Sequence, residues 1–434
     1  MHFAGCVYIR PMLATPELIR EAAQIPRLTE LLPRWREVPL YRNSLARIEC
    51  QRPDFECFQR LPLLAKRQMQ HGFPRNFLSN GRSLESLLEK KLVEVEHTSG
   101  TSAERLPVIL ERGWWEAQEE RALRLNGLVG RVLDEFPGAL RATLVPPACN
   151  GYQCPTVWSS REQRTVGRTL FINLARIPFV LSDAELARMA EEVSDWAPQF
   201  LDVDPVHGAW FALYCERRGI RFPSLKFVLC SYEFASVVHR KILERVFRVP
   251  VFNLYGSTET GHLLMEDASG DMKPSYDTAY LEIVEAGRDG VGELVVTTLT
   301  NDYMPLLRYR IGDLAEQRLR PYGTDFIIHG RVRDALRAAN GRRVTTGQVD
   351  ECFSGITGIA HYELRETGRG GHVLRFVPEG EGPPETVLQR VTARLSELHE
   401  TEITTEAMAA LLPEPSGKFR LTRPAGRPDR EPPA

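Results

Sequence analysis

Residues 226–259 read KFVLCSYEFASVVHRKILERVFRVPVFNLYGSTE, and this stretch decides the fold class. Its short apolar runs at 226–230 and 250–255 are strand-like, and residues 235–247 between them read as a helix. Strand, helix and strand in succession make an α/β sheet, whose ligands sit at strand ends. The alternation extends upstream. One helix runs to Arg218, and another over 182–197 opens with a capping box in which Ser182 and Glu185 satisfy each other's backbone donors. Farther back, Leu92-Val93-Glu94-Val95-Glu96 has the period-2 alternation of a half-buried strand, and 106–110 is a second short strand. A single amphipathic helix is expected next, with Trp114, Leu125, Val129, Val132 and Phe136 on or near one face. The Leu- and Arg-rich opening segment reads as helices broken at Pro33 and Pro39.

Near residue 330 the character changes. A strand ends at 326–330, and strand-like runs at 335–339 and 342–345 flank Asn340-Gly341, a hairpin turn whose two residues are expected at positive φ. Thr345 and Gln348 form a second capping box for the helix that follows. The expected division is an α/β core of subdomains with mixed sheets over 1–332 and a small α+β domain over 333–434. The tail from 424 is rich in Pro and charge and is expected to be disordered.

A chain of 434 residues, 43% hydrophobic and 26% charged, has ample material for a large core plus a smaller one. Its formal net charge of −2, with both signs dispersed, excludes the basic stripe of a broad nucleic-acid binder. No run approaches the roughly 18 apolar residues of a membrane span. No charged segment followed by an apolar run opens the chain, so a cytoplasmic location and no membrane partner are expected. The eight cysteines form no C-x-x-C pair and read as reduced thiols; a metal knuckle at Cys149 and Cys154 is the lesser reading.

Three blocks and one lysine carry chemistry. Thr98-Ser99-Gly100-Thr101-Ser102 lies between two strands, and its hydroxyls and backbone N–H groups suit polyphosphate oxygens, although no Gly-Lys-Ser/Thr closes it as a Walker loop. Tyr255-Gly256-Ser257-Thr258-Glu259, at a strand end, offers an aromatic face for a base, a hydroxyl for phosphate and a carboxylate for magnesium. Asp313, after Arg308-Tyr309-Arg310-Ile311-Gly312, suits a ribose diol, and Arg331 can reinforce it. Ser416-Gly417-Lys418 places a cation on a flexible loop. Taken singly, each has an ordinary structural reading: a surface turn, a salt bridge or a solvated lysine.

In this order, the blocks resemble the superfamily of acyl-CoA synthetases, peptide-synthetase adenylation domains and beetle luciferases. The chain is most similar to the phenylacetate–CoA ligase branch, through Pro39-Leu40-Tyr41-Arg42, Leu61-Pro62-Leu63-Leu64-Ala65-Lys66, residues 204–213 and Ser231-Tyr232-Glu233. The resemblance implies ATP-dependent activation of a small, aromatic carboxylic acid to an acyl-adenylate, then transfer to a thiol, with coenzyme A as the favoured acceptor and magnesium as cofactor. A carrier-protein thiol or an amine is the alternative acceptor, and a non-catalytic acyl- or nucleotide-binding relative is a third reading. Residues 98–102 would form the phosphate loop. Ser231, Tyr232 and Glu233 would border adenine, with Tyr255 stacked on it and Gly256 and Ser257 beside it. Thr258 would meet the α-phosphate, Glu259 the metal, and Asp313 with Arg331 the ribose. Lys418 would serve adenylation, and Gly341 would lie near the pantetheine path. Tyr152, Tyr232 and His262 are the expected pocket neighbours of the acid.

Three departures from the family pattern stand out. Ala103-Glu104-Arg105-Leu106-Pro107 replaces the usual Gly-x-Pro-Lys, leaving Arg105 as the loop's cation. Ser231-Tyr232 replaces the small Gly-Ala before Glu233. The hinge is expected at Arg333-Asp334, with Arg333 where the pattern has an aspartate.

Overall fold

The computed structural model describes residues 16–47, 55–79, 81–98, 105–146, 160–173, 175–320, 323–368 and 370–426. Residues 226–259 fold as the sequence implies. Phe227–Cys230 and Val251–Ser257 are parallel neighbours, joined through the helix Val237–Phe247. Ser236 caps that helix by accepting from the Val238 N–H, and Arg248 closes it in the left-handed region at φ 57. Its buried stripe of Val238, Ile242, Leu243 and Val246 follows the 3.6-residue period and packs on the sheet.

Twelve strands of the described residues form one mixed sheet, whose edge strand Thr165–Val166 lies antiparallel to Thr169–Phe171. Thr169–Phe171, Arg141–Leu144, Phe200–Val203, Phe227–Cys230 and Val251–Ser257 run parallel in that spatial order. Past Val251–Ser257 the sheet turns antiparallel through Gly261–Glu266, Met272–Pro274, Gly323–Arg331, Tyr309–Arg320, Gly292–Thr298 and Ala279–Val284. The changeover strand is therefore the one that carries Tyr255, Gly256 and Ser257. Gly256 is obligatory there: a Cβ would stand 2.2 Å from the Gly261 carbonyl oxygen, at a register shift between the two strands.

Helices Asp183–Trp196, Pro205–Arg218 and Val237–Phe247 share the core on one face of the parallel half. The residues after the big sheet form a smaller α+β unit: a four-stranded sheet in the order Ile403–Ala407, His372–Pro378, Ile359–Glu366, Thr422–Arg423, with the helix Glu385–His399. Its buried Val349, Phe353, Tyr362 and Leu364 join the same apolar cluster as the helices of the parallel half. No helix among the described residues is long and apolar enough to cross a membrane.

Three local expectations are corrected. The single amphipathic helix is two, Trp114–Leu123 and Gly127–Glu135, because Asn126 caps the second by accepting from the Leu128 and Val129 N–H groups. The first helix, Pro16–Glu37, continues through Pro26 and Pro33, held by the burial of Leu28, Leu31 and Trp35. At the Asn340-Gly341 turn only Gly341 has positive φ (82°); the Gly341 N–H donates to the Ala338 carbonyl, and the flanking strands shrink to Leu336–Arg337 and Arg343–Val344. Both capping boxes, at Ser182/Glu185 and Thr345/Gln348, are present.

Candidate active site

Two strands of the antiparallel half bring Asp313 and Arg331 together as direct register partners. Arg331 Nε stands 2.9 Å from Asp313 Oδ1, and the Tyr255 hydroxyl donates to Asp313 Oδ2 at 2.6 Å. Burial, then the Asp313 charge, holds the Tyr255 phenol far above the usual range, so it remains a donor. Asp313 is thus clamped from both sides at the changeover strand. Four residues earlier on its strand, Tyr309 donates its hydroxyl to Glu259 Oε1 at 2.8 Å, with both side chains buried. Ser257 and Thr260 hydroxyls are 2.9 Å apart, and Thr258 is half-buried beside Glu259.

The second group lies at the end of Phe227–Cys230. Ser231 Oγ donates to Asp202 Oδ1 at 2.5 Å, and the Tyr232 hydroxyl stands 3.4 Å from Asp202 Oδ2. Lys418 Nζ donates to the Tyr232 carbonyl at 2.6 Å, and the Phe419 N–H donates to Glu233 Oε1 at 2.7 Å. Burial, then the nearby Asp204 carboxylate, pushes Glu233 well above the usual range, with Lys418 pulling the other way. The loop that delivers Lys418 is a tight turn: the Glu414 N–H donates to the Lys418 carbonyl, the Gly417 N–H to that of Glu414, and Gly417 sits at φ 89. Glu414 also bridges Arg333 at 3.0 Å and Arg420, which stands 3.3 Å from Asp334. The lysine loop is thereby tied by charge to residues 333–334.

Thr98 is buried, and its hydroxyl accepts from the Leu106 N–H at 2.9 Å and from Lys66 Nζ at 3.2 Å. Ser99, Gly100, Thr101 and Ser102 lie outside the described residues, as does Tyr152. Arg105 is exposed. Gly341 is on an exposed turn whose contacts run to the end of the helix Glu385–His399, through Asn340 to Glu400 at 2.7 Å and Arg342 to the Leu398 carbonyl, and not, among the described residues, to the Lys418 group. His262 is buried with its ring 4.8 Å from that of Trp115.

Sequence reading passed over three participants: Lys66, Tyr309 and Asp202. Lys66 and Tyr309 stand within stretches whose pattern was noted, yet only the folded sheet brings them to Thr98 and Glu259. Asp202 gave one legible sign, a lone acid in an otherwise apolar strand, Phe200–Val203.

Comparison with known proteins follows the same direction. No protein-family model matches the chain. The chain is 27% identical to a phenylacetate-coenzyme A ligase of Aromatoleum evansii over 228 residues, 48% of this chain and 51% of the relative. It is 34% identical to Protein CapK of Staphylococcus aureus over 77 residues, 17% of that protein. The chain thus matches about half the length of the first relative and less of the second. Among solved structures, 2-hydroxyisobutyryl-CoA ligase in its postadenylation state with an acyl-AMP gives a TM-score of 0.67 at 18% identity, covering 92% of this chain and 90% of the other. An anthranilate CoA ligase with anthranoyl-AMP gives 0.52 at 13% identity, covering 75% and 64%. The fold is shared across almost the whole chain.

Proposed function

We propose that this chain, which has the fold of the adenylate-forming acyl-CoA ligases, uses ATP to convert a carboxylic acid to an acyl-adenylate and passes the acyl group to a thiol, coenzyme A first among the acceptors. The observation that carries this reading is the delivery of Lys418 from near the C-terminus to within 2.6 Å of the Tyr232 carbonyl, on the sheet that also bears the Tyr255–Asp313–Arg331 clamp. Relatives named as CoA ligases, two of them solved with acyl-AMP, support it.

In this reading the clamped Asp313 accepts the ribose hydroxyls, and Tyr255 lays its ring on adenine beside Gly256, Ser257 and residues 231–233. Residues 98–102 take the phosphates, with Lys66 at the base of their loop. Thr258 meets the α-phosphate. A carboxylate oxygen of the acid attacks the α-phosphorus, and the bond to pyrophosphate breaks. Lys418 stabilises the charge that builds there, and one preorganised group of this kind is typically worth roughly 100- to 1000-fold in rate. Glu259 fits a magnesium ion: it is buried, and Tyr309 donates to one of its carboxylate oxygens and so fixes its orientation. One carboxylate completed by phosphate oxygens and waters is the usual magnesium arrangement. The ion would supply neutralisation of phosphate charge. In the second step a thiol attacks the carbonyl carbon, AMP leaves, and residues 333–434 turn about Arg333-Asp334 to admit the acceptor past Gly341.

The test is product analysis with ATP, magnesium and a panel of acids, with and without coenzyme A. AMP and pyrophosphate are expected, with thioester only when coenzyme A is present. ADP and phosphate would overturn the reading.

A further inference from the structure

We propose that the acid carries a hydroxyl or amino group at the end remote from its carboxylate, bound by Asp202, Thr143 and His262 between the sheet and the helix Trp114–Leu123. This deepens the adenylation reading and rests on it. Phe200–Val203 and Arg141–Leu144 are parallel neighbours in which Asp202 pairs with Thr143 and Phe200 with Arg141, so these side chains leave the same face of the sheet. The helix Trp114–Leu123 covers that face: Glu119 lies 2.6 Å from Arg141, and Trp115 packs on His262. Elsewhere the same face is apolar, with Phe227, Leu229, Phe252 and Leu254 in one cluster.

A polar patch within an apolar layer costs stability unless its groups are paired. Two are not. Thr143 Oγ1 and His262 Nε2 have no hydrogen-bond partner among the described residues, although Thr143 is 2% and His262 9% exposed. Asp202 is only partly served, with Ser231 at 2.5 Å, Tyr232 at 3.4 Å and Arg141 at 3.7 Å. Burial pushes its carboxyl up to about 6 against the pull of Arg141. Burial also lowers His262, leaving a neutral imidazole with one donor and one acceptor nitrogen. A ligand hydroxyl can donate to Asp202 and accept from His262 or Thr143. An amino group can donate to Asp202 and to a neighbouring acceptor.

Tyr232 connects this patch to the reacting atoms. Its carbonyl accepts from Lys418 Nζ, while its hydroxyl stands 3.4 Å from Asp202. One tyrosine residue, from its main-chain carbonyl to its hydroxyl, therefore spans the interval between the adenylating lysine and the polar patch. An acid with its carboxylate at Lys418 and a single ring for a body reaches the patch with its far end. An unsubstituted acid of that length leaves the patch unpaired, which is the basis of strong discrimination in hydrogen-bonding sites.

The experiment measures AMP release with ATP and magnesium for phenylacetate against 4-hydroxyphenylacetate, and for benzoate against its 4-hydroxy and 4-amino derivatives. The substituted acids should exceed their parents in kcat/KM by at least about 10-fold; the hydroxy and amino arms identify which donor is bound. Asp202→Asn should erase most of the preference. Thr143→Val keeps the volume nearly constant and removes an unpaired hydroxyl, so it should fold normally yet reduce the preference about 2- to 10-fold. Parent acids that match their derivatives would overturn the inference while leaving adenylation intact. So would variants that shift the melting temperature but not the ranking of acids, which would mark a structural network. Failure of every acid to yield AMP would instead remove the adenylation reading itself.

Discussion

Tyr232 holds φ at 71, a conformation costly for a residue with a Cβ, so contacts at both of its ends must keep it there. Lys418 on its carbonyl and Asp202 near its hydroxyl supply them. Lys66 raises a second question at this scale, because residues 103–107 lack the lysine that the family pattern places after the loop proposed above for the phosphates. Lys66 approaches the same loop from the helix Lys66–Gln70, its ammonium 3.2 Å from Thr98 Oγ1. Lys66→Ala should raise the KM for ATP and lower kcat/KM by roughly 10- to 100-fold, within the range of a lost phosphate-facing cation. Lys66→Arg should recover part of the loss. Wild-type kinetics in Lys66→Ala, measured by pyrophosphate release, would return the role to Arg105. The residues clamped to one another were legible in kind: Asp313 could be singled out as a carboxylate suited to a ribose diol, and Arg331 as a cation able to reinforce it. Lys66 with Thr98, and Tyr309 with Glu259, could not be paired in advance, since 32 and 50 residues separate partners that only sheet assembly brings together.

Among the elements, local signals were the readable ones. Capping boxes form within four residues, so Ser182 with Glu185 and Thr345 with Gln348 specify their helices without help from the rest of the chain. The break at Asn126 depends also on a distant partner, the Glu266 carbonyl that receives its side-chain amide at 2.8 Å. The helix Val237–Phe247 is capped twice, by its own Ser236 and by Asp350 of the smaller unit, which accepts from Ser236 Oγ at 2.5 Å and from the Val237 N–H at 3.0 Å. Beside this cap His239 Nε2 lies 3.0 Å from His361 Nδ1, both rings buried. Burial lowers His239 to about 4 and His361 well below the usual range, with Asp204 opposing the shift at His239 and the neighbouring imidazoles reinforcing it at His361. Unfolded or undocked, both histidines bind protons near pH 6.5. The docked pair is therefore fully stabilising above about 6.5 and loses stability as the pH falls towards 4, because the open state takes up more protons. Melting temperature should fall over that window, and His239→Phe with His361→Phe should flatten the fall. Asp350→Ala should loosen docking by the worth of a lost cap, a factor of about 2 to 30, and lower AMP formation accordingly. A pH-independent melting curve, or full adenylation in Asp350→Ala, would show that these contacts do not hold the smaller unit in place.

At the scale of the molecule, apolar and polar contacts between the smaller unit and the large sheet have different consequences for motion. Val349, Phe353 and Tyr362 share a continuous core with the helices of the parallel half, so burial there is broad and tolerant of sliding. The directional contacts include Phe419 to Glu233, Lys418 to Tyr232, Asp350 to Ser236 and Val237, and His361 to His239, together with Arg176 to the Glu414 and Pro415 carbonyls, Lys241 to the Ile356 carbonyl, Arg245 to Glu379 and Arg343 to the Val291 carbonyl. The rotation proposed about Arg333-Asp334 requires the loss of this set, and the ion pairs of Arg333 and Arg420 with Glu414 and of Arg420 with Asp334 join the proposed pivot to the lysine loop. The two half-reactions should then separate. In the proposed mechanism Lys418 acts while charge builds on the α-phosphate, so Lys418→Ala should lose adenylate formation by roughly 100- to 1000-fold. Given pre-made acyl-adenylate, the same variant should transfer the acyl group to coenzyme A at close to the wild-type rate, because its missing ammonium has left the site by then. Gly341→Leu should show the opposite pattern. A Cβ at Gly341 meets no atom within 4 Å, but φ of 82° strains any other residue, and the turn that would face the incoming thiol is displaced while adenylation proceeds. Both steps are read in both variants, pyrophosphate release for the first and thioester formation from supplied adenylate for the second. Equal loss of the two steps in Lys418→Ala would mean that one fixed arrangement serves both, and the rotation would be abandoned.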